Sequence, residues 1–154
     1  HIVRDIMPLV WRVRPEARLL LVGYAPPPEV QALANERVVV TGQVPDLTPI
    51  MEGSRVMLAA LRYGAGVKGK VVEAMRWCLP VVTTPIGAEG IGIKPDQDAI
   101  VVEDAEGLAA GVLHLLSDAD YCARLSEAGA PARPRRSSGS PRCRSGRWTR
   151  TASR

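Results

Sequence analysis

The sequence predicts an α/β fold with a doubly wound parallel sheet, and two observations carry that prediction. Short apolar runs rich in Val, Leu and Ile recur about every twenty residues, with a helical segment between each pair. Hydrophobic residues make up 46% of the 154 residues, but Phe is absent and aromatics reach only 4%. The core must therefore be aliphatic, which is typical of strands that helices cover on both faces.

Each predicted element follows from its local pattern. Five buried strands are expected, at residues 18–22, 37–41, 56–60, 80–84 and 99–102. The first helix, residues 2–13, is amphipathic and should bend at Pro8. Pro28 and Asp46 are placed to open two short helices, and Asp104 to cap a longer one. The remaining predicted helices span residues 70–77 and 119–128.

The charge of the chain is unevenly distributed. The formal net charge is +4, but residues 131–154 hold eight Arg and no acidic residue, so residues 1–130 carry about −4. Beyond residue 129 the aliphatic residues vanish, which predicts a disordered basic tail after an α/β domain at residues 1–129. We interpret the tail as out-of-frame translation of GC-rich DNA. A nucleic-acid arm would have a similar composition, but the tail lacks helical or aromatic patterning, and we expect no nucleic-acid partner.

Composition also indicates the compartment. The three cysteines, Cys78, Cys122 and Cys143, have no metal-ligand spacing and no even pairing, which predicts a reduced, cytoplasmic protein. No apolar run approaches the roughly 20 residues that a membrane span needs.

A glycine-rich stretch follows the third predicted strand. Gly64 and Gly66 allow close backbone approach, Lys68 and Lys70 supply positive charge, and the helix that follows offers free N–H groups, so the stretch is suited to phosphate. Its letters also match the G-x-G-x-x-G dinucleotide pattern. That interpretation is disfavoured, because three residues separate the strand from the first glycine and the next strand ends in threonines rather than an acidic residue.

Four segments in order resemble a known family. They are PEARLLLVG (15–23), RVVVTGQVPDLTPIMEGSRVML (37–58), LRYGAGVKGKVVEAM (61–75) and LPVVTTPIGAEGI (79–91). The chain resembles the C-terminal, donor-binding domain of glycosyltransferase family 4, or group 1, enzymes of the GT-B fold. The resemblance implies a Rossmann-like half of that fold, incomplete at its N-terminal edge. It also implies retaining, metal-independent transfer of a hexosyl-type sugar from a UDP- or GDP-sugar, which is a substrate; no cofactor or metal is expected.

The resemblance also implies roles for particular residues. The loop and helix at residues 64–70 would hold the donor diphosphate, Glu73 would accept hydrogen bonds from the ribose hydroxyls, and Gly42, Gln43 and Val44 would lie against the base. Many family members carry a second glutamate eight positions before the ribose-binding one, where this chain has Ala65. This departure leaves open which group steadies the sugar ring. No catalytic residue is assigned.

Two other candidate motifs are weaker. Asp96 and Asp98 form an Asp-x-Asp pattern, but they precede a strand rather than follow one, which favours a solvated turn. His114 falls within the apolar helix after Asp104 and is expected to be a partly buried helix residue. Neither residue pattern indicates a metal centre or a catalytic base.

Two functions remain open from the sequence. The first is the donor domain of a glycosyltransferase whose glycan or lipid-linked acceptor binds a separate N-terminal domain, so that the isolated chain is inactive and the full-length enzyme associates peripherally with a membrane. The second is a non-catalytic nucleotide-binding or interaction module that uses the basic tail. The ordered series of motifs favours the first.

Overall fold

The computed structural model describes residues 1–64 and 68–129, and all five strands in these residues pair in parallel. β1 (Leu19–Val22) pairs with β2 (Val38–Gly42), whereas β3 (Met57–Ala59), β4 (Val81–Thr83) and β5 (Ile100–Val101) form a second sheet in that order. The predicted α/β class with parallel strands is confirmed. In the described residues the strands form two sheets rather than one.

Helices precede or follow every strand. They are α1 (Met7–Val13), α2 (Pro28–Gln31), α3 (Thr48–Gly53), α4 (Gly69–Arg76), α5 (Pro85–Ala88), α6 (Ala105–Ser117) and α7 (Ala119–Ala128). All were predicted except α5, which has only four residues and is too short to show a helical period.

The helix predicted at residues 2–13 changes type before Pro8. A π-helical turn, Ile2–Ile6, leads directly into α1, where Pro8 lies in the first turn. Proline is tolerated there because the first amides of an α-helix need no intrahelical acceptor. Ile6, Met7 and Val10 are buried on the inner face of this segment.

Strand β4 separates two apolar layers. Val82 faces a cluster built largely from α1, α6 and α7, whereas Val81 faces a second cluster that includes Val71 and Ala74 of α4. Because side chains alternate along a strand, neighbouring residues of one strand contribute to opposite layers. Helices therefore cover both faces of this sheet, as the doubly wound prediction requires.

Burial of the strands is uneven. All three residues of β4 are buried, as predicted. The prediction is wrong for parts of the other sheet, where Leu20 of β1 is 40% exposed and Val39 of β2 is 41% exposed. Within the described residues, other elements therefore bury some side chains of β1 and β2, such as Val38, and leave others exposed to solvent.

Two predicted helix caps differ in outcome. Asp104 caps α6, with Gly107 N donating to Asp104 Oδ1 at 2.6 Å. Asp46 is not the cap of α3, because Leu47 occupies that position. Its carboxylate instead accepts from the N–H of Thr48, the first residue of α3, at 2.9 Å, and hydrogen bonds from Thr48 lower the Asp46 pKa.

Two cysteines lie within the described residues, and both are buried. Cys122 is a free thiol on α7, and burial raises its pKa. Cys78 follows α4 with φ +55°, and Cys143 lies outside the described residues. Within residues 1–64 and 68–129, no helix combines the length and apolar character that a membrane crossing requires.

Candidate functional site

The glycine-rich stretch lies at the carboxyl end of the three-stranded sheet. The chain leaves β3 at Ala59 and begins α4 at Gly69, and β4 ends in the same direction at Thr83. In parallel α/β sheets this edge collects the loops and the helix N-termini. The strand order therefore places the start of α4 where a ligand can reach free amides.

The described ends of the loop contact each other. Gly64 has φ +126°, a conformation that suits glycine, and its carbonyl accepts a 3.0 Å hydrogen bond from Lys68 Nζ. Lys68 is also the N-cap residue of α4. The ammonium is thus held beside the loop backbone at the entrance to the helix. Gly66 and Ala65 lie outside the described residues.

The first turn of α4 is electropositive. Lys68 O accepts from Val71 N at 2.9 Å and from Val72 N at 3.2 Å, and the side chain of Lys68 contributes no capping bond to the helix. The two amides before these, of Gly69 and Lys70, open the helix and have no carbonyl in a preceding turn, and the helix dipole is positive at this end. With the exposed ammonium of Lys70, this turn can bind an anion.

A surface cavity of about 490 Å³ lies along α4 and is lined by Gly69, Lys70, Val72, Glu73 and Arg76. Glu73 is half-buried there. Three-residue spacing on one helix aligns Lys70, Glu73 and Arg76 on one face. The sequence interpretation missed Arg76, although this spacing could have identified it. The cavity offers a carboxylate for hydroxyl groups and cations for phosphate within one helix face.

The segment predicted to lie against a base is on the other sheet. Gly42 ends β2 with φ +70°, and its carbonyl accepts from Gly23 N at 3.3 Å. Gln43 is exposed and Val44 is half-buried. These three residues do not line the cavity at α4. Like that cavity, they lie beyond the carboxyl end of a parallel strand, which here is β2 rather than β3.

Two buried threonines at the end of β4 contact the loop that follows β3. Thr83 Oγ1 donates to Ala59 O at 3.0 Å, and Thr84 Oγ1 donates to Leu61 O at 2.6 Å. Thr84 Oγ1 also accepts from Gly87 N at 3.3 Å and so caps α5. The sequence interpretation used these threonines only to exclude a dinucleotide site. Two adjacent hydroxyl residues at the end of a buried strand could have indicated that their side chains hydrogen-bond a neighbouring segment.

The weaker motifs belong to structural positions. Asp98 Oδ2 accepts from Lys94 N at 2.9 Å within a turn, as expected for Asp96 to Asp98. His114 is exposed rather than partly buried, and its ring stacks on Tyr121 with centroids 4.3 Å apart. Among the described residues, no group of three or more His, Cys, Asp or Glu side chains is arranged to hold a metal ion.

Comparison with solved structures identifies the fold. Anabaena HepE, solved in complex with UDP and glucose, superposes with a TM-score of 0.71 at 18% identity, over 82% of this chain and 38% of HepE. WaaG, a glycosyltransferase involved in lipopolysaccharide biosynthesis, superposes with a TM-score of 0.70 at 21% identity, over 84% of this chain and 38% of WaaG. The fold is that of GT-B glycosyltransferases.

A third similar structure contains a single domain of such a protein. It is the C-terminal domain of LpcC, a group 1 glycosyl transferase from Francisella tularensis, with a TM-score of 0.67 at 18% identity over 82% of this chain and 72% of that domain. This chain spans 38% of the length of HepE and WaaG.

Sequence comparisons agree with the structural ones. An uncharacterized 44.6 kDa protein from the cps region of Klebsiella pneumoniae is 27% identical over 111 residues, which cover 66% of this chain and 29% of that protein. The family model for group 1 glycosyl transferases matches residues 1–118, which is most of the chain. The chain therefore belongs to the group 1 glycosyltransferase family.

Proposed function

We propose that this chain is the donor-binding domain of a glycosyltransferase and that it binds a nucleoside-diphosphate sugar at the start of α4. The observation that carries the proposal is the position of Lys68 at the N-cap of α4, at the carboxyl end of β3, beside the cavity that Lys70 and Glu73 line. HepE has been solved in complex with UDP and glucose and with UDP-glucose, which supports a nucleotide-sugar ligand.

The diphosphate is assigned to the loop at residues 64–70 and the first turn of α4. Lys68 Nζ already lies 3.0 Å from Gly64 O, so a phosphate oxygen approaching the loop meets this ammonium without a large side-chain movement. Lys70 and the opening amides of α4 add positive charge on the same side. Gly66 is assigned to this loop from the sequence alone.

The nucleoside is assigned to the groups around the diphosphate. Glu73 is one turn further along α4 than Lys70, and its carboxylate can accept hydrogen bonds from two adjacent ribose hydroxyls. Gly42, Gln43 and Val44 would lie against the base. Choosing between UDP and GDP requires binding data, because Gln43 can present either an acceptor or a donor to a base.

The proposed reaction is a retaining, metal-independent transfer of a hexosyl-type sugar. The bond between the anomeric carbon and the phosphate oxygen breaks, and its electron pair leaves with the nucleoside diphosphate. The acceptor oxygen bonds the anomeric carbon on the same face, and its proton passes to the released phosphate. Lys68, Lys70 and the helix amides stabilise the negative charge that develops on the diphosphate. With Ala65 at the second glutamate position, the group that orients the sugar is not assigned.

We propose that residues 1–129 form the nucleotide-sugar domain. The acceptor is assigned to a different part of the enzyme, outside these residues. This assignment is consistent with the chain spanning 38% of HepE and of WaaG. The expected acceptor is a glycan or a lipid-linked sugar, and the proposed setting is the cytoplasmic side of a membrane. The isolated chain should bind nucleotide without transferring sugar.

Titration calorimetry with UDP and GDP, together with a transfer assay that uses UDP-glucose, tests the proposal. We expect weak binding of one nucleotide and no turnover. Binding of neither nucleotide would refute donor binding, whereas turnover by this chain would refute the assignment of the acceptor site to another domain. Glu52→Gln on α3 is a suitable control, because Glu52 is exposed and does not line the α4 cavity.

A further inference from the structure

The two threonine hydroxyls at the end of β4 are buried and directed toward the neighbouring strand. Thr83 is 0% exposed and Thr84 is 5% exposed. A buried hydroxyl without a partner is costly, so each position must supply an acceptor. Both acceptors are backbone carbonyls of the segment that leaves β3, namely Ala59 and Leu61.

These bonds fix a tight turn. Leu61 N donates to Ala59 O at 2.9 Å, so the carbonyl of Ala59 accepts both this amide and the Thr83 hydroxyl. The next carbonyl that is held is that of Leu61, at 2.6 Å from Thr84 Oγ1. The direction in which the chain leaves β3 is therefore set by side chains of β4 as well as by its own backbone.

The turn leads into the proposed phosphate-binding residues. Three residues after Leu61, Gly64 O accepts the hydrogen bond from Lys68 Nζ. Lys68 is in turn the N-cap residue of α4, whose Val71 and Ala74 pack in the same apolar cluster as Val81 of β4. Strand β4 thus holds the loop entrance by hydrogen bonds and the helix by apolar packing.

Gly87 provides the space that this arrangement needs. A Cβ at this position would collide with Thr83 Oγ1 and would lie 3.3 Å from Ala59 O. The amide of Gly87 donates to Thr84 Oγ1. The Thr84 hydroxyl is therefore used as a donor to the loop and as an acceptor from α5, which fixes its orientation.

We propose that Thr83 and Thr84 are positioning residues that set the entrance of the glycine-rich loop and thereby the placement of Gly64 and Lys68. What the loop binds rests on the proposed function. The positioning itself is a property of the free protein and can be measured without ligand.

The test compares Thr84→Val, which keeps the branched shape but removes the hydroxyl, with Thr84→Ser, which restores it. Thr83→Val is a second variant, which removes the contacts of the hydroxyl with Ala59 O at 3.0 Å and with Thr84 O at 3.4 Å and leaves Ala59 O with its Leu61 N partner. Ser126→Ala is the matched control, because it removes a 2.7 Å hydroxyl-to-carbonyl bond within α7. Two properties are measured in each protein. The first is backbone mobility, from ¹⁵N relaxation of residues 61–64 and Lys68 and from amide exchange of Leu61. The second is the affinity for whichever of UDP and GDP the wild-type chain binds.

Thr84→Val removes the hydrogen bond to Leu61 O and the one from Gly87 N. For this variant we expect faster exchange at Leu61, increased motion of residues 62–64 and a Kd for the bound nucleotide raised about tenfold. Thr83→Val should show smaller changes of the same kind. Thr84→Ser should restore wild-type values, and Ser126→Ala should not alter them.

Unchanged relaxation, exchange and nucleotide affinity in folded Thr84→Val or Thr83→Val would overturn the positioning role. If Thr84→Val fails to fold, Thr83→Val decides the question by the same measurements. If the wild-type chain binds neither UDP nor GDP, the proposed function fails, and the relaxation and exchange data alone confirm or refute the positioning of the loop.

Discussion

At the scale of single residues, Glu73 distinguishes a nucleotide site from a simple anion site. A helix N-terminus with lysines suits any phosphate, but a half-buried carboxylate in the same cavity opposes anion binding unless it has a partner of its own. Adjacent ribose hydroxyls are such a partner. The role of Glu73 is therefore testable separately from that of the lysines.

Glu73→Gln is expected to weaken UDP binding about tenfold, because hydrogen bonds to a charged acceptor are stronger than those to a neutral amide. Binding of inorganic pyrophosphate, which has no ribose, should be unchanged or tighter. Calorimetry with both ligands measures the two effects. A 2′,3′-dideoxy-UDP should bind wild type and variant alike; if the substitution weakened its binding as much as that of UDP, the ribose assignment would be wrong.

The sequence predicted some residues of the candidate site, whereas the contacts of others could be found only in the structure. The glycine-rich loop pointed to Lys68 and Lys70, and the family resemblance pointed to Glu73. The structure places Lys68 at the N-cap of α4 and the other two within that helix. The contacts of Thr83 and Thr84 could not be predicted, because they join residues about 24 positions apart and depend on strand pairing. His114 was misjudged because its helix is apolar overall, whereas its own position faces solvent.

At the scale of elements, strands were predictable wherever β-branched runs end at turn residues, as at Gly42. Two short structures were missed: α5, which has four residues, and the π-helical turn before Pro8. Alternation of strands and helices predicts parallel pairing but not which strands share a sheet. The separation of β1 and β2 from the other three strands therefore had no sequence signal.

Packing of α6 on the sheet gives a prediction at this scale. A Cβ at Gly111 would lie 3.0 Å from Ile100 Cγ2 and 3.1 Å from Val82 Cγ1, closer than the stiff side chains of two strands can accept. Gly111→Ala should therefore lower the free energy of unfolding by about 1 kcal/mol, even though alanine favours helices. Urea denaturation measures this difference.

Gly53→Ala is the matched control, because Gly53 ends α3 and a Cβ there meets nothing within 4 Å. Its free energy of unfolding should be unchanged or slightly higher. An equal stabilisation by Gly111→Ala would show that α6 does not pack on β4 and β5 as closely as the structure indicates.

At the scale of the whole molecule, β4 connects two apolar layers. Val82 belongs to the cluster with α1 and α6, and Val81 to the cluster with α4. Since adjacent residues of one strand support both layers, loss of either layer should expose the other. The domain should therefore unfold as one cooperative unit.

Two tryptophans report on the two sides of the sheet. Trp11 packs beside the first cluster, and Trp77 follows α4. In one NMR sample titrated with urea, the indole N–H signals of both residues should lose native intensity at the same urea concentration. Different midpoints would show that the layers unfold separately.

The central claim is that a nucleotide diphosphate binds at the start of α4. The most direct measurement is a titration of the ¹⁵N-labelled chain with UDP and GDP, followed by amide chemical shifts. The account predicts saturable shifts from one of the nucleotides at Gly64, Lys68, Lys70 and Glu73, with smaller ones near Gly42 to Val44. The absence of shifts with either nucleotide, or saturable shifts confined to another surface, would contradict it.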